Sequence, residues 1–205
     1  MRAVILHAPG DIRVEEVAKS TIVEPSDAVI RVTASCICGS DLWPYRGISP
    51  VNGPSPIGHE YVGVVEEIGA DVRTVAVGDL VVGSFIASDN TCEICESGYQ
   101  SRCVHMVGMR WIGPQSEYAR IPLADGTLVK VPGTPTPEQA RSLLAASDVL
   151  GTGWFAAVAA EAGPGKTVAV VGDGAVGLLG ILAAKHLGAE RIIAIDIQAD
   201  KTALA

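Results

Sequence analysis

Residues 167–177 have the sequence TVAVVGDGAVG, and the architecture of the C-terminal part of the chain follows from this stretch. Residues 167–171 form a continuous, mostly apolar run, which predicts a strand buried on both faces of a parallel sheet. The G-x-G-x-x-G at 172–177 is a weak signal alone, but it lies directly between this strand and a helix predicted from about Ala175 to Leu187. In this context the stretch predicts a phosphate-binding loop.

Each glycine of the loop has a separate physical role in that prediction. Gly172 makes the tight turn, Gly174 lets a pyrophosphate approach the backbone, and Gly177 lets helix and strand pack closely. Val176 lies at the start of the helix, whose free N–H groups and partial positive charge would face the phosphates. We therefore predict that Gly172, Gly174, Val176 and Gly177 bind a dinucleotide. The alternative is that the glycines serve only a strand-to-helix turn.

A second buried strand, Arg191–Ile195, is predicted after the helix and completes a β-α-β unit. Asp196 follows it directly, 19 residues after Gly177, where a carboxylate can accept hydrogen bonds from the adenosine ribose hydroxyls. A 2′-phosphate would meet Asp196 as a like charge, and Lys201 is the nearest cation. The sequence thus favours NAD over NADP, with Asp196 and Lys201 beside the cofactor. The alternative is that Asp196 is a solvated loop acid.

The rest of the sequence divides into a β-rich part and a helical part. Up to about Lys130, short β-rich runs broken by Gly, Pro and Asp predict an irregular β-barrel, and these runs are Ala28–Thr33, Tyr61–Ile68, Leu80–Ile86 and Thr127–Val131. After the Pro-rich segment 132–137, helices are predicted at Glu138–Ala146 and at about Val149–Glu161. The predicted fold class is α/β plus β, with a first domain at 1–150 and the first β-α-β unit of a Rossmann domain at 151–205.

Composition and charge exclude several classes of function. Of 205 residues 48% are hydrophobic, which is enough for a packed core and excludes intrinsic disorder. Lys and Arg total 15 against 23 Asp and Glu, and the net charge of −8 argues against nucleic acid or a membrane surface as partner. No apolar stretch reaches the roughly 20 residues of a membrane helix, and no secretory signal is found. We expect a cytoplasmic protein with small-molecule partners.

The five cysteines fall into two separate groups. Cys36 and Cys38 lie together, whereas Cys92, Cys95 and Cys103 form a C-x2-C-x7-C cluster in a Gly-rich, polar loop. In a reducing compartment, cysteines are more often metal ligands or core residues than disulfides. The spacing therefore predicts two distinct sites.

Two further motifs carry a family resemblance. A G-H-E-x2-G-x5-G-x2-V pattern extends from Gly58 to Val72, and a C-G-S-D motif at 38–41 precedes it. With these motifs in this order, the chain resembles the zinc-dependent alcohol dehydrogenases of the medium-chain dehydrogenase/reductase superfamily. The resemblance implies a GroES-like, zinc-binding catalytic domain at 1–150. It also implies hydride transfer between an alcohol, polyol or carbonyl substrate and a nicotinamide cofactor, and a homo-oligomer at full length.

The resemblance further implies that the chain is C-terminally truncated, because the nucleotide fold of the family continues past the second strand. A missing neighbour would leave that apolar strand prone to pairing or aggregation. The second hypothesis is therefore a non-catalytic zinc-binding fragment of such a dehydrogenase. A metal-free quinone reductase of the same superfamily is disfavoured, because such relatives lack Cys38, His59 and the clustered cysteines.

The resemblance assigns a catalytic zinc to Cys38, His59 and Asp148. Asp148 stands where many relatives have Cys and others have Asp. A thiolate, an imidazole and a carboxylate balance the charge of Zn²⁺ and leave the fourth position open. Glu60 is a neighbouring acid that can approach the metal. The alternatives are that Asp148 is an N-cap of the following helix and that His59 is a turn histidine.

The resemblance also implies catalytic roles for two neighbours of Cys38. Ser40 would accept the hydroxyl proton of the alcohol. Asp41 would orient a ligand, because metal-bound imidazoles usually donate their second N–H to a carboxylate. Where many relatives have a His of the proton relay, this chain has Trp43, which cannot accept a proton. Trp43 would then shape an apolar substrate pocket or simply pack.

A loop of the family holds a structural zinc through four cysteines spaced C-x2-C-x2-C-x7-C. The corresponding residues are Asp89, Cys92, Cys95 and Cys103, so that Asp replaces the first Cys. Three thiolates and a carboxylate carry the same charge as four thiolates, which permits zinc. The alternative is an ordinary Asp-Asn turn at residue 89, in a loop that has water as the fourth zinc ligand or holds no metal. Cys36 matches no ligand position and is interpreted as a small buried residue.

Overall fold

The computed structural model of the protein describes residues 1–108 and 112–205. The chain divides into two compact units, Met1–Ser147 and Asp148–Ala205. Each unit has its own hydrophobic cluster.

Antiparallel strands dominate the first unit. They are β1 (Arg2–Ala8), β2 (Asp11–Glu16), β3 (Ala28–Ser35), β4 (Ser55–Pro56), β5 (Tyr61–Ile68), β6 (Leu80–Gly83), β7 (Ile86–Ala87), β8 (Val107–Gly108), β9 (Tyr118–Ile121) and β10 (Leu128–Lys130). The central sheet has the strand order β10-β6-β5-β3-β9, a second sheet has the order β2-β1-β4, and β7 pairs with β8. Small and β-branched residues of the central sheet fill the core: Ala28, Ile30, Val65, Val81, Ala119 and Ile121.

A close contact between β5 and β6 fixes the start of β5. Tyr61 lies opposite Gly83 in the antiparallel register and is fully buried. A Cβ atom on Gly83 would lie 2.0 Å from the Tyr61 ring, so only glycine leaves room for it. Burial raises the pKa of the Tyr61 hydroxyl above its usual value. The two residues that precede Tyr61 are the His and Glu of the G-H-E motif, and their backbone is anchored by this packing.

The helices of the first unit are short: α1 (Leu42–Tyr45), α2 (Glu93–Glu96), α3 (Ala124–Thr127) and α4 (Pro137–Ser142). The start of α4 shows why the Pro-rich segment ends there. The Thr136 hydroxyl accepts from the Gln139 N–H at 3.2 Å, while Gln139 Oε1 accepts from the Thr136 N–H at 2.9 Å. Pro137 occupies the first helical position, where its missing N–H costs nothing.

The second unit is a β-α-β arrangement with a helix at each end. Its elements are α5 (Val149–Ala159), β11 (Thr167–Val171), α6 (Ala175–His186), β12 (Arg191–Ile195) and α7 (Ala199–Leu204). Strands β11 and β12 pair in parallel, from Thr167 with Arg191 to Val171 with Ile195. Helices α5 and α6 approach each other closely at Gly153 and Gly180. A Cβ on Gly153 would lie 2.6 Å from the Gly180 nitrogen, so the absence of a side chain there permits this approach.

The structure confirms the predicted bounds of β5, β11 and β12 and corrects others. The strand predicted to reach Ile86 ends at Gly83, because the Ser84 hydroxyl accepts from the Ile86 N–H at 3.1 Å and turns the chain. The helix predicted over 138–146 is α-helical only to Ser142 and continues as a 3₁₀ helix to Ser147. Helix α7 was not predicted.

The expectation that β11 is buried on both faces is wrong for the described residues. Val168 and Ile192 face the cluster formed with α5 and α6. The opposite face of the two strands is exposed and includes Val171, Ile193 and Ile195. The apolar run therefore reflects an apolar sheet of which only one face is covered here.

In the part of the chain that the structure describes, no single helix is long and apolar enough to cross a membrane. Only one pair of consecutive helical segments of the described residues, taken together, reaches a membrane-spanning length and apolar composition: Pro137–Ser147 with Val149–Ala159.

Candidate metal centres and dinucleotide loop

Cys38, His59 and Glu60, here called the first cluster, converge in the first unit. One potential ligand atom from each lies within 4.8 Å of those of the other two. Cys38 directly precedes the 3₁₀ turn Gly39–Asp41, whereas His59 and Glu60 directly precede β5. Two segments that are distant in sequence thus bring together a thiol, an imidazole and a carboxylate, which are typical zinc ligands.

Asp41 connects the two segments of the first cluster. Its carboxylate is buried, and its Oδ2 accepts from the Cys38 N–H at 2.9 Å. Its Oδ1 lies 3.2 Å from Nδ1 of His59. Because Nδ1 faces Asp41, Nε2 is the ring nitrogen available to a metal. The hydroxyl of Ser40 lies 3.4 Å from that Nε2.

Glu60 is held by a residue that the sequence interpretation left aside. The Cys36 thiol donates a hydrogen bond to Glu60 Oε2. Burial raises the pKa of Cys36 to about 12, with the Glu60 carboxylate as the next cause, so the thiol keeps its proton. Among the described residues no hydrogen-bond partner reaches the buried Oε1 of Glu60. The interpretation of Cys36 as a small buried residue is therefore wrong: Cys36 is half-buried and its thiol holds Glu60.

Asp148, the third expected ligand of the catalytic zinc, is the first residue of the second unit. It stands at the N-cap position of α5, yet its side chain makes no capping hydrogen bond with the helix backbone. Instead, its Oδ1 accepts from the Thr152 hydroxyl at 3.2 Å. A capping function alone does not account for this acid.

Asp89, Cys92, Cys95 and Cys103, here called the lobe cluster, also converge. One ligand atom from each residue lies within 4.8 Å of all the others. The sulfur atoms of Cys92 and Cys103 are 3.9 Å apart, and Cys103 Sγ is 3.3 Å from Asp89 Oδ1. Tetrahedral zinc with bonds of about 2.3 Å to sulfur requires separations of about 3.8 Å between thiolates. The donor set therefore fits zinc in chemistry and spacing.

The environment of the lobe cluster shifts the pKa of its members in different directions. Backbone N–H groups, that of Val104 first, lower the pKa of Cys92. Burial, followed by hydrogen bonds within the cluster, raises the pKa of Cys95 to about 12. The Thr91 N–H and then His105 hold the pKa of Asp89 far below its usual range. Asp89 is thus ionised and already ordered. His105 was missed from the sequence, because it lies outside the cysteine spacing that identified the site.

The loop between β11 and α6 has the backbone that its glycines predict. Gly172 has φ +98°, a left-handed conformation that favours glycine. A Cβ on Gly177 would lie 1.8 Å from the Gly172 carbonyl oxygen, so this position is closed to other residues. A Cβ on Gly174, at the N-cap of α6, would meet nothing within 4 Å. That side of the loop is open to a ligand.

Asp196 follows β12 and holds the loop through its backbone. Its Oδ2 accepts from the Asp173 N–H at 2.8 Å and its Oδ1 from the Gln198 N–H at 2.9 Å. These bonds, that of Gln198 first, lower the pKa of Asp196, and the charge of Lys201 in α7 acts in the same direction. The carboxylate retains lone pairs for a further donor. Sequence reasoning did not foresee its second task of fixing the loop.

The chain is similar in sequence to a known protein family and to curated alcohol dehydrogenases. Residues 24–133 match the family model described as alcohol dehydrogenase GroES-like domain. Zinc-type alcohol dehydrogenase B of Aspergillus flavus is 38% identical over 205 aligned residues, which cover 96% of this chain and 47% of that protein. The chain thus spans about half the length of the curated relatives it matches.

Solved structures give the same result. The alcohol dehydrogenase TADH from Thermus sp. ATN1 superposes with a TM-score of 0.88 at 35% identity, covering 98% of this chain and 59% of that one. A putative zinc-binding dehydrogenase from Sinorhizobium meliloti 1021, bound to NADP, superposes with a TM-score of 0.82 at 30% identity, covering 99% and 58% respectively. The predicted combination of a GroES-like part and a β-α-β part is confirmed.

Proposed function

Because the chain belongs to the zinc-type alcohol dehydrogenases with a GroES-like domain, in the medium-chain dehydrogenase/reductase superfamily, we propose that it is a zinc-dependent oxidoreductase. It would transfer hydride between an alcohol or polyol, or the corresponding carbonyl compound, and a nicotinamide cofactor. Residues 1–150 would form the zinc-binding catalytic domain and residues 151–205 the start of the dinucleotide-binding domain.

The observation that carries this proposal is the convergence of Cys38, His59 and Glu60, with Asp41 connecting Cys38 to His59. Cys38, His59 and Asp148 would hold the catalytic zinc, with Glu60 as an additional acid near the metal. Zinc at this site would polarise an alcohol or carbonyl oxygen and lower the pKa of a bound hydroxyl. Asp41 would keep the His59 ring in the orientation and tautomer that leave Nε2 for the metal.

Ser40 would accept the substrate proton, since its hydroxyl lies 3.4 Å from His59 Nε2 and therefore beside the metal position. Hydroxyl groups both accept and donate, so Ser40 can pass the proton to solvent or to a cofactor hydroxyl. Trp43 is 57% exposed and is therefore not a packed core residue; we propose that its ring lines the substrate pocket.

The dinucleotide would lie on the loop of Gly172, Gly174, Val176 and Gly177, with its phosphates at the N-terminus of α6. The free lone pairs of Asp196 would accept from the ribose hydroxyls. An ionised Asp196 would repel the 2′-phosphate of NADP, which supports NAD as the cofactor. Two observations favour NADP instead: the Sinorhizobium neighbour binds NADP, and Lys201 is near Asp196. We propose NAD and leave NADP as the competing outcome of the assay.

The lobe cluster would hold a second, structural zinc through Asp89, Cys92, Cys95 and Cys103. Four protein ligands close the coordination shell, so this zinc would order the loop and take no part in turnover. Both clusters need reduced thiols, and we propose a cytoplasmic location, where thiols are kept reduced. Small-molecule substrates and a homo-oligomeric assembly complete the proposal.

A second candidate is a zinc-binding protein without turnover. The exposed apolar face of β11 and β12, which includes Val171, Ile193 and Ile195, favours this alternative.

The test is hydride transfer by the zinc-replete chain with a panel of alcohols, polyols and carbonyl compounds, using NAD and NADP in parallel. We expect turnover that falls by about 10²–10⁴-fold in Ser40→Ala while bound zinc is retained. Zinc and dinucleotide binding without hydride transfer to any compound would establish the non-catalytic alternative.

A further inference from the structure

His105 contacts the one ligand of the lobe cluster that is not a thiol. Its Nδ1 lies 2.5 Å from Asp89 Oδ2, and its backbone N–H donates to Cys103 Sγ at 3.3 Å. The imidazole is 68% exposed, whereas the Asp89 carboxylate is 13% exposed. The histidine thus covers the outer side of the carboxylate.

The two oxygens of Asp89 have different partners. Oδ1 accepts from the N–H groups of Thr91 at 3.0 Å and Cys92 at 3.1 Å, and the Cys103 thiol lies 3.3 Å from it. The imidazole of His105 contacts Oδ2. Oδ1 is therefore the oxygen on the side of the sulfur atoms, and the histidine holds the oxygen on the other side.

A carboxylate needs such a partner more than a thiolate does. A cysteine presents one sulfur after a single side-chain torsion, whereas the carboxylate of aspartate rotates about a second, broad torsion and presents two equivalent oxygens. A hydrogen bond to one oxygen selects which oxygen faces the metal. Partners of this kind outside the ligand shell typically change metal affinity by about 10–100-fold when removed.

We propose that His105 is a positioning residue that holds Asp89 as the oxygen ligand of a zinc in the lobe cluster. The inference rests on the structural zinc of the proposed function, and it assigns a task to a residue outside the cysteine pattern. If this is so, zinc affinity of the lobe cluster depends on His105 only while residue 89 is a carboxylate.

The experiment is a zinc competition titration with a chromophoric chelator on the 205-residue chain. Cys38→Ser is present throughout, so that the first cluster does not contribute to the signal. Five proteins are compared in this background: the parent, His105→Ala, His105→Asn, Asp89→Cys, and Asp89→Cys combined with His105→Ala. Circular dichroism verifies the fold of each, and absorption of the Co²⁺-loaded forms gives a readout of the ligand geometry.

We expect His105→Ala to weaken zinc binding by about 10–100-fold and to alter the Co²⁺ spectrum. His105→Asn, whose side-chain amide can donate near the position of Nδ1, should restore most of the affinity. In the Asp89→Cys background, His105→Ala should have no effect beyond twofold, roughly the error of a well-separated double-mutant comparison.

Two results would overturn the inference in distinguishable ways. Equal zinc affinity and equal spectra for the parent and His105→Ala would show an ordinary surface ion pair, while leaving the structural zinc in place. A parent chain that binds no zinc in the Cys38→Ser background would remove the lobe zinc itself, and the inference with it.

Discussion

Replacing Gly177 by alanine tests the close contact on which the dinucleotide loop is built. The new Cβ would lie 1.8 Å from the Gly172 carbonyl oxygen, whereas real Cβ atoms essentially never lie closer than 3.0 Å to such an atom. The backbone must therefore open by at least 1.2 Å, which is 3.0 minus 1.8. Since the obstacle is a backbone atom, no side-chain rotation can relieve it.

The expected cost follows from two opposing contributions. Overpacking of this kind costs up to about 3 kcal/mol, whereas alanine gains about 1 kcal/mol over glycine within a helix such as α6. The net loss is about 2 kcal/mol, which for a chain of this size lowers the unfolding temperature by about 4–8 °C. The displaced loop should also bind dinucleotide more weakly.

Gly174→Ala is the matched control, because its Cβ would meet nothing within 4 Å and its φ of −80° suits alanine. Thermal unfolding followed by circular dichroism, and dinucleotide binding followed by calorimetry, distinguish the two variants. Gly174→Ala should keep the unfolding temperature within about 2 °C but lose affinity, because its methyl group occupies the ligand side of the loop. Unchanged unfolding of Gly177→Ala, or unchanged binding by Gly174→Ala, would refute this reasoning.

Three further predictions concern buried or ordered carboxylates. Asp41→Asn should weaken zinc binding at the first cluster by about 10–100-fold, because Asn has one oxygen where Asp41 uses two, Oδ2 for the Cys38 N–H and Oδ1 for the imidazole. Chelator competition measures this affinity, and Asp11→Asn, at a partly exposed site, is a control that should not change it. Burial acts to raise the pKa of Asp27, but the hydrogen bonds from Arg120 and from backbone N–H groups outweigh it and the net pKa is lowered from 3.8. Its contribution to stability is therefore complete above about pH 4 and lost as the pH falls further. The stability difference between the parent and Asp27→Asn, about 1.5–3 kcal/mol at neutral pH because Arg120 is partly exposed, should therefore shrink in acid denaturation curves. Asp196→Ala should improve binding of NADP relative to NAD by roughly tenfold, or about 1.4 kcal/mol; an unchanged ratio of the two dissociation constants would contradict the placement of the ribose there.

The sequence was sufficient for elements whose pattern is local. The strands Tyr61–Ile68, Thr167–Val171 and Arg191–Ile195 have the predicted bounds, because β-branched residues and flanking glycines define them without help from distant contacts. The strand that stops at Gly83 was not predictable, since it depends on the Ser84 hydroxyl capturing the Ile86 N–H. Burial on both faces of β11 was not predictable either, because an apolar residue in a sequence does not show whether another element covers it.

The metal ligands show the same division. Cysteine spacing and the family motifs brought Cys38, His59 and the lobe residues to attention, and the structure brings them together within each cluster. The partners that order these groups have no spacing signal. Cys36 reaches Glu60 across 24 positions and His105 reaches Asp89 across 16, so only the folded chain reveals them.

The central claim, that this chain carries two separate zinc sites, is tested most directly by counting zinc. Elemental mass spectrometry on protein dialysed against metal-free buffer should give about two zinc ions per chain, one for each cluster. Cys38→Ser and Cys103→Ser should each lower the count to about one. A count near zero in the unmutated chain, or a count that neither substitution lowers, would contradict the account.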